Sequence, residues 1–214
     1  MTATCRICEK RRAKRACPAV HGDICPQCCG EQREVTLHCP LECAFLVEAR
    51  KHERPPDLTN AEIPHKDVPL TEQFLRDHQE LVVFTSFTLL QASLEADGAV
   101  DSDVREALEA MIRTLRTLDS GLIYETKPTN TFAAQIQGRV QSAFDELRGR
   151  MAEQSGMRAI RDAEFLGVLV FLTRVAVQND NRRPKGRAFV DFLRSQFPPP
   201  TSNQAQDSSS LVSE

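Results

Sequence analysis

The amino-acid sequence predicts a mostly α-helical protein whose N-terminal part is instead rich in cysteine. All eight cysteines lie within the first 43 of the 214 residues. Between residues 70 and 197, apolar side chains recur every three or four positions, as in amphipathic helices. Four of the twelve prolines lie between these regions. The sequence therefore divides into an N-terminal module at 1–54, an extended linker at 55–69, a helical bundle at 70–197 and a polar tail at 198–214 that we expect to be disordered.

The bundle is predicted to contain about five helices. The first covers about residues 71–96 and is followed by Gly98, which can supply the left-handed residue of a helix C-cap. The second begins at Asp101 or Ser102, both good N-caps, and ends at Gly121.

The other three helices have equally local signals. The third carries the clearest apolar stripe, formed by Phe132, Ile136, Val140, Phe144, Leu147 and Met151. Asn130 or Thr131 can cap it, and Gly156 lies past its end. The fourth, about residues 159–178, is apolar on almost every side, which predicts a central position in the bundle. The fifth begins at Pro184, a favoured first helical residue, and stops before a run of three prolines.

The first 54 residues contain too few large apolar side chains to form a self-sufficient core. Basic residues stand where a signal peptide would need an apolar run, and no apolar run approaches the roughly 20 residues of a membrane span. We therefore expect a cytoplasmic protein. In such a reducing compartment, clustered cysteines indicate metal ligands more often than disulfides. A structural zinc ion supplies on the order of 10 kcal/mol to such a segment.

The spacing of the cysteines fits this interpretation. Cys5 and Cys8, and likewise Cys25 and Cys28, are separated by two residues, which lets both sulfurs of a pair reach one ion. Cys39 and Cys43 form a third pair, and Pro40 is predicted to begin a short helix whose first turn contains Cys43. Cys17 can pair with His21, four residues further on.

The order of the four pairs suggests a cross-braced module in which the first and third pairs hold one zinc ion and the second and fourth hold another. The eight predicted ligands are Cys5, Cys8, Cys25 and Cys28 for one ion, and Cys17, His21, Cys39 and Cys43 for the other. Cys29 and His38 are alternatives to His21 as the eighth ligand.

This arrangement resembles the B-box zinc finger. The residues that carry the resemblance are C-R-I-C at 5–8, C-P-A-V-H at 17–21, I-C-P-Q-C at 24–28 and H-C-P-L-E-C at 38–43. The resemblance implies a small cross-braced two-zinc module used for protein–protein contacts. The run from Cys25 to Arg50 also looks like the start of certain uncharacterised bacterial zinc-finger proteins, a likeness that implies no activity.

The sequence offers no enzymatic motif of a common kind, and two filled zinc shells would leave no open coordination position. The Cys25–Cys28 pair also matches a thioredoxin-like redox motif, but such a motif needs a preceding strand and a following helix in a βαβ unit, neither of which is predicted there. An enzymatic site in the bundle would need a deep polar pocket lined by Asp162, Glu164 or Arg174.

We therefore expect a non-enzymatic interaction or adaptor protein with structural zinc. Its protein partner would contact the zinc module, and the bundle would offer a second contact surface or a homodimer interface. The alternative is a nucleic-acid-associated regulatory protein that uses two basic loops, residues 10–15 and residues 182–187.

Overall fold

The protein is mostly α-helical, as the sequence predicts. The computed structural model describes residues 3–54, 56–59, 62–122, 124–153 and 159–198. Within these ranges it contains eight α-helices and one two-stranded sheet. None of the described helices is both long and apolar enough to cross a bilayer. The predicted Gly156 cap and almost all of the predicted disordered tail lie outside the described residues.

The N-terminal segment combines a short hairpin with two short helices. Strands β1 (Arg15–Cys17) and β2 (Gly22–Ile24) are antiparallel, with Ala16 opposite Asp23, and a 3-10 turn at Pro18–Val20 joins them. Helices α1 (Pro26–Gln32) and α2 (Ala44–Arg50) follow.

The start of α2 differs from the prediction. The helix begins at Ala44 rather than at Pro40, and Cys43 is its N-cap instead of lying in its first turn. The backbone N–H of Cys43 donates to the carbonyl of Pro40 at 3.0 Å, so residues 40–43 form a turn. This turn places Leu41, which is almost completely buried, in the core of the helical body.

Six helices occupy the region for which about five were predicted. They are α3 (Glu72–Asp77), α4 (Gln79–Glu95), α5 (Asp101–Asp119), α6 (Thr131–Glu153), α7 (Asp162–Gln178) and α8 (Ala188–Gln196). The first predicted segment is divided at His78, which has non-helical backbone angles and whose Nδ1 lies 2.8 Å from the carbonyl oxygen of Phe74.

The predicted glycines, the Asn130 cap and the central position of the fourth segment agree with the structure. The predicted N-cap of the second helix is wrong: Val100 is the N-cap of α5, because the carboxylate of Asp101 accepts N–H groups of α8 instead. Gly98 and Gly121 both have positive φ angles, and the side chain of Asn130 accepts the backbone N–H of Phe132 at 2.8 Å. Helix α7 packs against α5 and α4, and α6 packs against the same two helices. The apolar sides of these four helices form the main core of the protein.

The end of the predicted linker lies along the helices. Arg174 on α7 donates to the carbonyl oxygens of Pro64, His65 and Val68 at 2.7 to 3.1 Å. Asp67 forms an ion pair with Arg116 of α5 at 2.8 Å. The division of the chain into domains stays a prediction.

Helix α8 begins four residues later than predicted, because backbone N–H groups of the residues before it donate hydrogen bonds to Glu34. The N–H groups of Lys185 and Arg187 donate to the carbonyl oxygen and the carboxylate of Glu34, at 2.8 and 3.0 Å. The carboxylate of Asp101 accepts the N–H groups of Phe189 and Val190 at 3.0 and 3.2 Å. Asp101 therefore caps α8 in addition to beginning α5.

Glu34 joins the N-terminal segment to the helical body. Its side chain is fully buried and accepts hydrogen bonds from Arg50 at 2.7 Å, Asn181 at 2.8 Å and the backbone of Arg187. Arg50 in turn contacts Asp191 of α8 at 3.2 Å. A buried carboxylate needs such a set of donors, so the loop that carries Glu34 and the loop before α8 stabilise each other.

Asp101 should make stability depend on pH. Its burial raises the pKa of the Asp101 carboxyl to about 6, against the lowering effect of the two capping N–H groups. Because the folded state then binds this proton more tightly than the unfolded state, the contribution is favourable below about pH 4 and is lost as the pH rises through about 6. Wild type should lose roughly 1–3 kcal/mol relative to Asp101→Asn across this interval.

The measurement is the free energy of unfolding from urea titrations between pH 4 and pH 7. Asp119→Asn, at the exposed end of α5, is the matched control and should follow wild type at every pH. A constant difference between wild type and Asp101→Asn across the interval would contradict the role given to Asp101.

Glu34→Gln should destabilise the protein by about 3–5 kcal/mol, because it leaves the positive charge of Arg50 buried beside an uncharged amide. Glu48→Gln is the control, since Glu48 pairs with Lys51 on the surface and should change stability by less than about 1 kcal/mol. Equal effects of the two substitutions on urea unfolding would show that Glu34 has no special role.

Candidate metal centre

Four cysteines form a compact cluster at the N-terminus. The sulfur atoms of Cys5, Cys8, Cys25 and Cys28 all lie within 4.8 Å of one another. Cys5, Cys25 and Cys28 are buried, and Cys8 is partly exposed. The structure thus brings together the first and third predicted pairs, although 16 residues separate Cys8 from Cys25 in the sequence.

Local hydrogen bonds explain how these residues meet. The backbone N–H of Cys5 donates to Arg11 at 2.8 Å, which closes the first knuckle, and Arg6 donates to Asp23 at 3.0 Å, which fixes the knuckle beside β2. Cys25 is the N-cap of α1, and its sulfur accepts the N–H of Cys28 at 3.4 Å. The Cys25–Cys28 pair therefore lies at the first turn of a helix.

Two thiols of the cluster, those of Cys5 and Cys28, have pKa values shifted in opposite directions. Burial tends to raise the pKa of Cys5, but hydrogen bonds from the backbone of Cys8, Cys25 and Ile7 outweigh it and lower the pKa to about 6. Burial, together with hydrogen bonds to the other three thiols, raises the pKa of Cys28 to about 12. A cation is therefore needed before all four sulfurs can be charged at neutral pH.

The donor set fits a metal ion. Four thiolates at about 2.3 Å from a tetrahedral zinc ion are about 3.8 Å from one another, which small side-chain adjustments reach from the observed spacing. The guanidinium of Arg11 lies 3.7 Å from the sulfur of Cys25 and offsets negative charge there. Cys5, Cys8, Cys25 and Cys28 can therefore hold one metal ion.

Three of the other four predicted ligands line a second, separate cavity. Cys17, Cys39 and Cys43 line a small cavity of about 10 Å³, and Cys29 lines it with them. His21 is exposed at the end of the hairpin turn, with a left-handed backbone, and does not line this cavity. His38 is also exposed.

The surroundings of the Cys25–Cys28 pair differ from the expectation. A short strand, β2, precedes the pair and a helix, α1, follows it, whereas neither was predicted. The apolar pattern of three strand residues is too short to read from sequence. The strand nevertheless belongs to an antiparallel hairpin rather than to a βαβ unit, and Cys5 and Cys8 contact the pair.

The two basic loops differ in their surroundings. In the loop at 182–187, Arg183 donates to the carbonyl oxygen of Arg33 at 2.6 Å, Lys185 donates to that of Thr36 at 2.7 Å, and Arg182 pairs with Glu62 at 3.4 Å. The cations of this loop thus form hydrogen bonds and an ion pair with other parts of the protein. In the loop at 10–15, the first cations are exposed, and the guanidinium of Arg15 lies 4.7 Å from the centre of the Phe45 ring.

The three polar residues considered for an enzymatic site do not share one pocket. Arg174 binds the backbone at residues 64–68, and Asp162 pairs with Arg148 at the surface at 2.8 Å. Glu164 borders an open groove of about 820 Å³, where it lies 3.6 Å from His78 and accepts hydrogen bonds from Arg161.

Comparisons of this chain with models of known protein families, with curated proteins and with solved structures found no match.

Removing the metal should unfold the N-terminal segment and leave the helical body folded. A chelator with a reductant removes on the order of 10 kcal/mol of stabilisation from a segment that has little apolar core. Amide hydrogen exchange should therefore become fast in residues 5–24 and stay slow in α5 and α7.

Cys28→Ser should produce the same change and should reduce the amount of bound metal. His52→Ala, which alters an exposed residue after α2, should do neither. Slow exchange in residues 5–24 of reduced, metal-free protein would contradict a metal-dependent fold.

Proposed function

We propose that this chain is a non-enzymatic interaction protein in which zinc has a structural role. The observation that carries the proposal is the buried cluster of four sulfur ligands, Cys5, Cys8, Cys25 and Cys28. Four thiolates complete a tetrahedral shell, so no position remains for a water molecule or a substrate. A ligand set of soft thiolates alone favours zinc over magnesium or calcium.

The cross-braced, B-box-like arrangement forms part of this proposal. Its support is that the first pair meets the third pair and not the second, so that the chain between them is tied into one unit. B-box modules are used for protein–protein contacts, which agrees with an adaptor role. A cytoplasmic location belongs to the same proposal, because thiolate ligands require a reducing compartment.

A catalytic role for the groove beside Glu164 has weaker support. His78 is held in place by stacking on Phe74, with 4.4 Å between ring centroids, and by the contact of its Nδ1 with the Phe74 carbonyl. Glu164 accepts the backbone N–H of Arg161 and so caps α7. Both side chains thus have structural tasks at helix ends, which favours the non-enzymatic proposal.

The nucleic-acid alternative loses support for a related reason. The cations of the loop at 182–187 contact Glu62 and the carbonyl oxygens of residues 33 and 36, so they are not directed at a phosphate backbone. The loop at 10–15 remains, without aromatic residues on which bases could stack.

Helix α4 offers the surface through which the body would interact. Val83, Phe87 and Leu94 are 48%, 46% and 41% exposed and form one stripe along the helix. Phe197 extends this stripe, since its ring packs edge-on against Phe87 at 5.4 Å between centroids. No charged residue occurs from Leu81 to Leu94. Interface cores are depleted of charge in the same way.

We propose a second copy of this chain as the occupant of the α4 stripe. A stripe of exposed apolar side chains fits a partner surface of the same character, and a symmetric dimer provides such a surface from the same residues. The zinc module would then stay free for a different protein partner in each subunit.

Phe87→Glu should weaken this dimer at least about tenfold, because burying one unpaired carboxylate costs more than about 1.4 kcal/mol. Sedimentation equilibrium of the full chain over a range of concentrations measures the change. Leu122→Glu is the control, since Leu122 is 63% exposed and follows α5 in the chain instead of belonging to the α4 stripe. A wild-type chain that stays monomeric at every concentration would exclude the homodimer and leave the stripe to another protein.

A further inference from the structure

We propose a second metal site formed by four thiolates, those of Cys17, Cys29, Cys39 and Cys43, with no histidine ligand. It rests on the structural role for zinc proposed above and extends it to the rest of the N-terminal segment. The carrying observation is that all four of these side chains line one cavity of about 10 Å³. A space of this size accommodates a single atom of the size of a water molecule.

Four different elements bring these cysteines to the cavity. Cys17 ends β1, Cys29 lies on α1, Cys39 directly precedes the turn at residues 40–43, and Cys43 is the N-cap of α2. Residues far apart in the chain thus converge on one point, as in a cross-linking metal site. Such a site stabilises the segment by joining parts that share little apolar contact.

The direction of Cys29 follows from helix geometry. Successive residues on an α-helix point about 100° apart, so Cys28 and Cys29 cannot face the same ion easily. Cys28 belongs to the first cluster, and Cys29 lines the second cavity. Helix α1 therefore supplies one ligand to each site, and the two sites share it as a common wall.

The rest of the cavity wall suits a thiolate-bound ion. Leu37, Phe45 and Leu46 are among its apolar residues, and these keep water away from the sulfurs. Arg15 and Arg33 also line it, and the guanidinium of Arg33 lies 3.8 Å from the sulfur of Cys29. Four thiolates around a divalent ion carry a net charge of −2, which two neighbouring guanidinium groups offset.

The sulfurs of this second set are more widely spaced than those of the first. Within the described residues, only the first cluster has its ligand atoms all within 4.8 Å of one another. We expect metal binding to draw these sulfurs together by rotation about the χ1 bonds; Cys39 and Cys43 are only partly buried and form no disulfide.

The site is also placed to control the junction with the helical body. Its ligands Cys29 and Cys39 flank the loop that carries Glu34. The same loop receives Arg183 and Lys185 from the body. A metal ion bound between Cys29 and Cys39 would therefore hold this loop in the conformation that docks on the body.

Native mass spectrometry of the reduced full-length chain, loaded with zinc, tests the proposal. Wild type should bind two zinc ions, Cys29→Ser should bind one, and the matched variant His21→Ala should bind two. Amide exchange at Lys185 and Arg187 should become at least about tenfold faster in Cys29→Ser only. The proposal is overturned if Cys29→Ser keeps two zinc ions, if His21→Ala binds one, or if wild type binds one.

A measurement on wild type keeps the test valid should Cys29→Ser fail to fold. Cadmium-113 NMR of the cadmium-loaded chain reports the ligand type of each ion through its chemical shift. Two resonances in the region of all-sulfur sites are expected. A single resonance, or a second one in the region of three sulfurs and one nitrogen, would overturn the second site while leaving the first site intact. Failure of the underlying structural role would instead appear as the absence of any bound ion.

Discussion

Four thiols held within 4.8 Å of one another cannot all carry negative charge unless a cation lies between them. Backbone hydrogen bonds lower the pKa of Cys5 to about 6, whereas burial raises the pKa of Cys28 to about 12. These two thiols therefore differ in how readily they lose their protons, although a metal site needs all four as thiolates. A divalent ion removes the conflict and supplies stabilisation that the apolar residues of this segment cannot provide. The hairpin, α1 and the knuckle of Cys5 are all attached to this point.

A second constraint lies at Glu34, where a fully buried carboxylate accepts donors from both parts of the chain. This contact explains why the basic loop before α8 is turned inward. The loop at residues 33–37 also forms part of the surface that contacts the helical body. An interaction that fixes the conformation of this loop therefore also fixes that contact surface. The proposed second metal site and this interface would act on the same short stretch of backbone, so a structural ion there would determine how the two parts are presented to a partner.

Much of the helical body could be predicted because its signals are local. The stripes of α5 and α6, the glycines at positions 98 and 121 and the Asn130 cap each depend on residues within one or two turns. The break at His78 and the late start of α8 could not be predicted, because they depend on Phe74 and on distant partners such as Glu34 and Asp101. In the metal centre, spacing identified the first cluster. It left the eighth ligand open among His21, Cys29 and His38, because that choice depends on how residues distant in the sequence meet in the fold.

The central claim is that sulfur alone surrounds the metal of the N-terminal segment. Zinc K-edge X-ray absorption of the purified, reduced full-length protein tests it directly, because the fine structure gives the type, number and distance of the ligand atoms. The account predicts about four sulfur atoms at about 2.3 Å and no oxygen or nitrogen in the first shell. A shell that contains oxygen from water, or a preparation that is folded and contains no metal, would contradict it.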